Sequence, residues 1–144
     1  MNPDFWPYKY IYKMKITLIP LFVLSASANV FAQLELLSPK PDTNQVVKHT
    51  AFWLSYSEPH EQAEWVYYIL TPERVSGTEK RKNNFRADPA VLTGSATLAD
   101  YKGSGYDRGH LCPAADNTHT KEAMSESFFM SNMSPQEPGF NRGV

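Results

Sequence analysis

The segment from Gly103 to His110 most constrains what this chain can fold into, because it sets three glycines among charged and titratable side chains. Glycine adopts backbone conformations that other residues avoid, and it lets a second chain or a ligand approach closely. The segment therefore predicts a tight turn that presents side chains and not a piece of core. We expect residues 107–111 to form a short strand that delivers His110 to a cleft.

Asp107, Arg108 and His110 carry three complementary chemical functions. An imidazole titrates near neutrality and can take a proton from water. A guanidinium offers a planar fork of donors that matches a phosphate. A carboxylate beside them can orient either group. The pattern favours chemistry on a phosphate ester.

Asn141 provides a second candidate site. A carboxamide oxygen is a hard, neutral ligand that suits Mg²⁺, an ion that keeps most of its waters and takes few protein ligands. His110 as a base and Asn141 as an ion ligand would together make a centre for phosphodiester hydrolysis, in which the ion stabilises the developing charge and the leaving oxygen.

These residues belong to an ordered set of motifs that resembles the DNA/RNA non-specific endonucleases with the ββα-metal fold. A match to residues 107–110 alone would be weak, but further blocks follow and precede it at compatible spacing. The resemblance runs from about Val46 to Val144. Its other blocks are Gln62–Val66, Lys80–Arg86, Asp100 with Tyr101, Ser131 with Asn132, Pro135 with Gln136, and Phe140–Gly143.

The resemblance implies an α+β fold, with an antiparallel β-sheet core and a ββα-metal (His-Me finger) motif whose C-terminal part is missing. It implies that His110 is the general base and that Asn141 is the direct Mg²⁺ ligand, with Mn²⁺ as a substitute. The other implied residues are Arg108 and Arg81 as phosphate contacts (with Arg86 as the alternative to Arg81), and Asp107 and Asn132 as supporting residues.

The function that follows is an exported, Mg²⁺-dependent endonuclease that cuts DNA and RNA and reads few base edges, because its groups address phosphate. Many members of the family are dimers, so a homodimer is among the expected assemblies. In the family, the helix around the metal-binding Asn continues to a Trp and a Leu-Glu pair, whereas this sequence ends at Val144. One alternative is therefore a truncated, inactive domain that at most binds nucleic acid. Another is a metal-dependent phosphatase that uses the same histidine and ion.

The N-terminal region predicts a secretory signal peptide. Met14 and Lys15 precede an apolar run, Ile16–Leu24, and small residues lead to Ala32. This is the pattern of an export signal, too short to span a bilayer. We expect translation to start at Met14, cleavage after Ala32, and a secreted or periplasmic product without a membrane anchor. The expected organisation is leader 1–32, an extended lead-in 33–45, and a partial nuclease domain 46–144.

The net charge of the chain limits how it could bind nucleic acid. The net charge of the chain is −1, and without residues 1–32 it would be −3, with 11 basic and 14 acidic residues. Such a chain has no general basic coat for nucleic acid, so a nuclease needs a local groove, for which the basic residues at 80–86 are candidates. Without the resemblance those residues would be a solvated loop.

Cys112 is the only cysteine, so no intrachain disulfide can form. Other possible metal ligands lie near Cys112 in the sequence, but their spacing fits no standard zinc pattern. A packed thiol is therefore expected. The candidate zinc ligands are His110, Cys112, Asp116 and His119.

Hydrophobic periodicity predicts a hairpin, a long loop-rich connection and two helices. His49 and His60, at the ends of the hairpin, are expected to be surface or turn residues. Ala123, Met124, Ser127 and Phe128 share one helical face, which is expected to be core. The predicted elements are a strand at 46–57, a turn at 58–62, a strand at 63–70, loops at 71–99, a helix at 120–128 capped by Thr118 or Thr120, a strand at 129–133 paired with the motif strand, and a metal-binding helix from Phe140.

Overall fold

The computed structural model describes Pro39 and residues 44–143. The predicted leader, residues 1–32, lies outside the described residues, and so does most of the lead-in at 33–45. In the part of the chain that is described, no helix has the length and apolar character needed to cross a membrane.

The first sheet has three antiparallel strands in the order β1 (Gln45–Lys48), β2 (Trp53–Ser57) and β3 (Gln62–Tyr67). The predicted hairpin between β2 and β3 is confirmed. The single strand predicted at 46–57 is wrong, because the chain reverses where the amide of His49 donates to the carbonyl of Phe52 at 2.9 Å. Alternating side chains continue on both sides of this turn, which lacks the Gly or Pro that would have marked it.

One face of this sheet forms the main core. Leu54 and Tyr56 of β2 are fully buried and pack with Phe52, Val91 and Cys112. The hydroxyl of Tyr56 also accepts a hydrogen bond from the amide of Ala96 at 2.8 Å. The sheet thus holds part of the long connection that leads to the site.

The connection from Thr71 to Ala99 is loop-rich, as predicted, with one short helix, α1 (Pro72–Val75), inside it. Arg74 fastens this part by donating to the carbonyls of Ala51 at 2.8 Å and Ile69 at 2.6 Å. Buried backbone carbonyls need hydrogen-bond donors, and the guanidinium of Arg74 donates to both of these carbonyls.

The expectation that His49 is a surface or turn residue is wrong, whereas His60 is exposed in a turn. The side chain of His49 is 4% exposed and its Nε2 lies 2.8 Å from the fully buried carboxylate of Asp88. Ser131 donates to the same carboxylate at 2.5 Å. Burial would raise the pKa of Asp88, but these hydrogen bonds outweigh it and lower the pKa. The pair joins β1 to two distant segments, a contact that no local pattern reveals.

The second sheet is the antiparallel pair β4 (Asp107–His110) and β5 (Met133–Gln136), with α2 (Leu98–Tyr101) before β4. The predicted return strand is present and pairs with the motif strand, but its predicted bounds, 129–133, are wrong, because Met133 is only the first residue of β5. The backbone of residues 128–130 bonds instead to Arg86, whose amide donates to the carbonyl of Phe128 and whose carbonyl accepts from Met130. A 3₁₀ turn, Met130–Asn132, then delivers the chain to β5.

Two further helices flank this pair. The predicted helix is present as α3 (Lys121–Glu126), where Thr120 caps the amide of Ala123 at 3.1 Å. The predicted core residues from Ala123 to Phe128 are buried. Helix α4 (Pro138–Gly143) begins two residues before the predicted start, because Pro138 suits the first helical position. The architecture is therefore α+β with antiparallel sheets.

Candidate active site

His110 ends strand β4, and aromatic rings surround its imidazole. The ring of Phe128 lies 5.0 Å away and that of Phe85 lies 5.7 Å away, both edge to face. The Nε2 atom of His110 is buried and has no hydrogen-bond partner among the residues that the structure describes. Buried polar atoms are normally paired, so Nε2 of His110 keeps an unused hydrogen-bonding position.

Burial, and then the positive charge of Arg81, lower the pKa of His110 to about 4. Desolvation disfavours the charged imidazolium, and a nearby cation disfavours it further. The imidazole is therefore neutral at pH 7 and able to accept a proton.

Two arginines share the aromatic pair formed by Phe85 and Phe128, whose rings meet edge to face at 5.0 Å. The guanidinium of Arg81 lies 4.9 Å from the centre of Phe128, and that of Arg108 lies 4.3 Å from the centre of Phe85. Neither arginine forms a salt bridge with any carboxylate in the described part of the chain. The rings hold both cations beside His110 without neutralising them, so their charge is available to an anion.

Arg86, the alternative to Arg81, is engaged elsewhere. Its guanidinium donates to the carbonyls of Asn84 at 3.1 Å and Ser125 at 2.9 Å, and it stacks on Phe129 at 4.0 Å. Arg81 is exposed, and its one hydrogen bond within residues 44–143 goes to the side chain of Asn83, at 2.7 Å. The geometry thus separates two arginines that the sequence alone left as alternatives: Arg86 fastens the loop, and Arg81 faces the histidine.

Asn141 lies on α4 opposite the start of β4. Its Nδ2 donates to Asp107 at 3.0 Å, and the Nε of Arg142 donates to the same carboxylate at 2.7 Å. These bonds, that of Arg142 foremost, lower the pKa of Asp107. Because the amide nitrogen of Asn141 is turned toward Asp107, its Oδ1 is the atom left for a cation.

Asn132 is fully buried and fixes the chain just beyond His110. Its Oδ1 accepts from the amide of Cys112 at 2.8 Å, and its Nδ2 donates to the carbonyls of Cys112 and Ser127, each at 2.9 Å. Its contacts are therefore with backbone, and they hold the exit of β4 against the end of α3.

Cys112 is a free, fully buried thiol, as expected for a packed residue. Burial raises the pKa of this thiol. Asn117 donates to its Sγ at 3.2 Å. Within residues 44–143, no group of three or more His, Cys, Asp or Glu side chains is placed to hold a metal ion.

A cleft of about 460 Å³ adjoins the site. Arg108 and Asn141 both line it, together with residues from α2 and from the turn before β4. The predicted residues thus fall into two groups: Arg81, Arg108 and His110 meet at the aromatic pair, and Asp107 and Asn141 meet at the cleft. Arg108 belongs to both.

Sequence reasoning missed the aromatic pair as a part of the site. In the sequence, Phe128 falls on the predicted core face of a helix and Phe85 falls inside a basic block. One signal is available, since Phe85 lies among four basic residues and an aromatic ring attracts a guanidinium group. Sequence reasoning also missed Tyr101 and Tyr106 as residues that line the cleft.

In the described part of the chain, an α+β scaffold thus brings together a histidine whose Nε2 is unpaired, two arginines that form no salt bridge, and an asparagine beside a cleft. Comparison with known proteins gives the family. The model of the DNA/RNA non-specific endonuclease family matches residues 34–144, and this chain belongs to that family.

Its relatives include human mitochondrial Endonuclease G, which is 39% identical over 106 residues, or 72% of this chain and 36% of the relative. A nuclease of Nostoc sp. is 41% identical over 106 residues, 72% of this chain and 38% of the relative. A solved complex of EndoG with EndoGI aligns with a TM-score of 0.65 and 32% identity, covering 72% of this chain and 44% of that chain. This chain thus spans well under half the length of these relatives.

Proposed function

We propose that this protein is a metal-dependent endonuclease that hydrolyses phosphodiester bonds in DNA and RNA. The observation that carries the proposal is the buried, unpaired Nε2 of His110, whose ring packs against Phe85 and Phe128, the two rings that also hold Arg108 and Arg81; in the described part of the chain neither arginine forms a salt bridge. Family membership and the names of the relatives support it.

His110 would act as the general base. Its imidazole is neutral at pH 7 because its pKa is about 4, so Nε2 can take a proton from a water that attacks phosphorus. Arg81 and Arg108 would bind the phosphate oxygens and stabilise the charge that develops there. Phe85 and Phe128 hold these three side chains in place, which limits the reorganisation needed when substrate binds.

Asn141 would hold the ion, and the residues present fit Mg²⁺. The Oδ1 of Asn141 is a single hard ligand at the edge of a cleft that can admit water, which matches the preference of Mg²⁺ for one or two protein oxygens and several waters. A bound Mg²⁺, or Mn²⁺ in its place, supplies stabilisation of the negative charge on the leaving oxygen. Asp107 positions Asn141 through the bond to its Nδ2.

Export and assembly complete the proposal. The leader pattern at residues 1–32 supports a secreted or periplasmic location, and the family resemblance supports a domain over 46–144 that can form a homodimer.

The test uses the 144-residue chain with supercoiled plasmid and with structured RNA, in Mg²⁺ or in EDTA. We expect Mg²⁺-dependent cleavage of both substrates that is lost in His110→Ala. His60→Ala is the matched control, since His60 is exposed in a turn, and it should cleave like the unchanged protein.

Three results would contradict the proposal. Full cleavage by His110→Ala would remove the histidine from the mechanism. A chain folded by circular dichroism that binds nucleic acid without cutting it would support a binding domain. Hydrolysis of a small phosphomonoester without cleavage of polynucleotide would support a phosphatase.

A further inference from the structure

We propose that the cleft beside Asn141 holds an unpaired nucleotide adjacent to the scissile phosphate, with its base stacked on Tyr106 and its own phosphate bound by Lys102. The inference rests on the proposed function and adds a substrate class to it: single-stranded or locally unpaired nucleic acid.

The cleft is continuous with the proposed catalytic groups. Arg108 lines it while its guanidinium stacks on Phe85 beside His110, and Asn141 lines it from α4. A phosphate bound by Arg108 would therefore place the neighbouring nucleotide of the same strand in this cleft. Its volume of about 460 Å³ lies in the usual range for small-molecule sites.

Tyr106 stands at the rim on a turn built to present it. Gly103 and Gly105 have φ of +76° and +84°, which only glycine adopts readily. The hydroxyl of Ser104 donates to the carbonyl of Tyr101 at 2.9 Å and accepts from the amide of Tyr106 at 3.1 Å. The turn leaves Tyr106 half exposed, whereas Tyr101 is partly buried against Ala96, Met130 and Met133.

The charges at the cleft favour a polyanion. Lys102 and Arg108 line it, and neither forms a salt bridge in the described part of the chain. Asp107, which also lines it, is already matched by Arg142. An exposed aromatic ring and two cations that line one cleft are the groups by which single strands are bound: bases stack on the ring and the backbone follows the cations.

An unpaired base is favoured because stacking on Tyr106 needs a free base face. In a duplex both faces of an interior base are covered by its neighbours, while single strands and loops can turn a base outward. Stacking does not read base identity, so the cleft would add preference for strand state and not for sequence.

The experiment measures binding without cleavage, by fluorescence anisotropy of a labelled single-stranded oligonucleotide in EDTA. The comparisons are the same sequence as a duplex and as an abasic strand. Tyr106→Ala should weaken single-strand binding by about 5- to 100-fold, while Tyr106→Phe, which keeps the ring, should stay within about two-fold. Leu92→Ala is the control, because Leu92 is 88% exposed and does not line the cleft. Circular dichroism confirms that each variant is folded.

Two further readings separate stacking from charge. The abasic strand should bind Tyr106→Ala and the unchanged protein alike. Lys102→Ala should weaken the binding of the intact and the abasic single strand equally, and it should lower the salt dependence of binding by about one phosphate contact.

The outcomes distinguish this inference from the proposed function. If Tyr106→Ala binds the single strand as tightly as the unchanged protein does, and cleavage still depends on His110, the stacking site is overturned and the proposed nuclease activity is retained. A folded chain that neither cuts nor binds nucleic acid overturns both. A loss confined to single strands, with duplex binding unchanged, supports the inference.

Discussion

The imidazole of His110 meets the ring of Phe128 edge to face, with centroids 5.0 Å apart and planes at 90°. Phe128 is fully buried just beyond α3, so the end of a helix fixes the proposed base at the end of a strand. The contact orients the imidazole by packing, and Nε2 is left without a partner. The same apolar surroundings keep the ring uncharged, so that orientation and protonation state have one origin.

Phe85→Leu should reduce cleavage while leaving the protein folded. The substitution keeps apolar volume but removes the ring on which Arg108 stacks at 4.3 Å. A cation–π contact of about 0.5–2 kcal/mol corresponds to a loss of about 2- to 30-fold in kcat/KM. Phe140→Leu is the matched control, because Phe140 is 64% exposed. An unchanged kcat/KM in Phe85→Leu would show that the ring does not position Arg108.

The acid limb of the pH profile should lie near pH 4. The profile of kcat/KM reports the pKa of the free enzyme, and the pKa of His110 is about 4. Activity should therefore rise with pH through that value and stay level across pH 6.5, the ordinary pKa of histidine. The measurement is kcat/KM at saturating Mg²⁺ from about pH 3.5 to about pH 8, a range that includes both the pKa of His110 and the ordinary histidine pKa.

Arg81→Ala tests whether the charge of Arg81 helps to set the pH of the acid limb. Because the charge of Arg81 contributes to the low pKa, the variant should move the acid limb upward, toward but not up to 6.5, since burial remains. Its overall rate should also fall if Arg81 binds phosphate. Lys80→Ala, an exposed neighbour, should leave the limb in place. A limb near 6.5 in the unchanged protein would contradict the argument.

Asn132→Ala should be strongly destabilising. The change leaves the amide and carbonyl of Cys112 and the carbonyl of Ser127 without their partner. Each unsatisfied buried group costs about 1–3 kcal/mol, so the free energy of unfolding should fall by about 3 kcal/mol or more. Urea denaturation followed by circular dichroism measures this. Asn44→Ala, which removes one surface bond to Glu64, should change it by about 0.5 kcal/mol or less.

The sequence indicated candidate side chains more directly than the path of the chain, and the catalytic roles given to those side chains stay predictions. His110, Arg108 and Asn141 could be named because their side-chain chemistry is carried by the residue itself and by short motifs. The hairpin between β2 and β3 and helix α3 with its threonine cap followed from local periodicity and capping preferences, whereas the α+β class was implied by the family resemblance.

The structural predictions that failed concern residues whose contacts lie far away in the sequence. Residues 128–130 are an apolar run that would suit a strand, but their hydrogen bonds go to Arg86. The buried side chain of His49 bonds to Asp88 and stacks on Phe129, both far along the chain. Arg81 and Arg86 are equivalent in sequence, and only the carbonyls of Asn84 and Ser125 separate them. None of these contacts has a local signature.

Asp107→Ala should weaken activation by Mg²⁺, because it removes the acceptor that holds the Nδ2 of Asn141 at 3.0 Å and so leaves Oδ1 unoriented. Arg142→Ala is the matched comparison: it removes the salt bridge to Asp107 but keeps the bond to Asn141. The measurement is the Mg²⁺ concentration at half-maximal cleavage. It should rise clearly in Asp107→Ala and little in Arg142→Ala. If the two variants shift equally, the salt bridge positions α4 and the bond from Asn141 to Asp107 has no separate role.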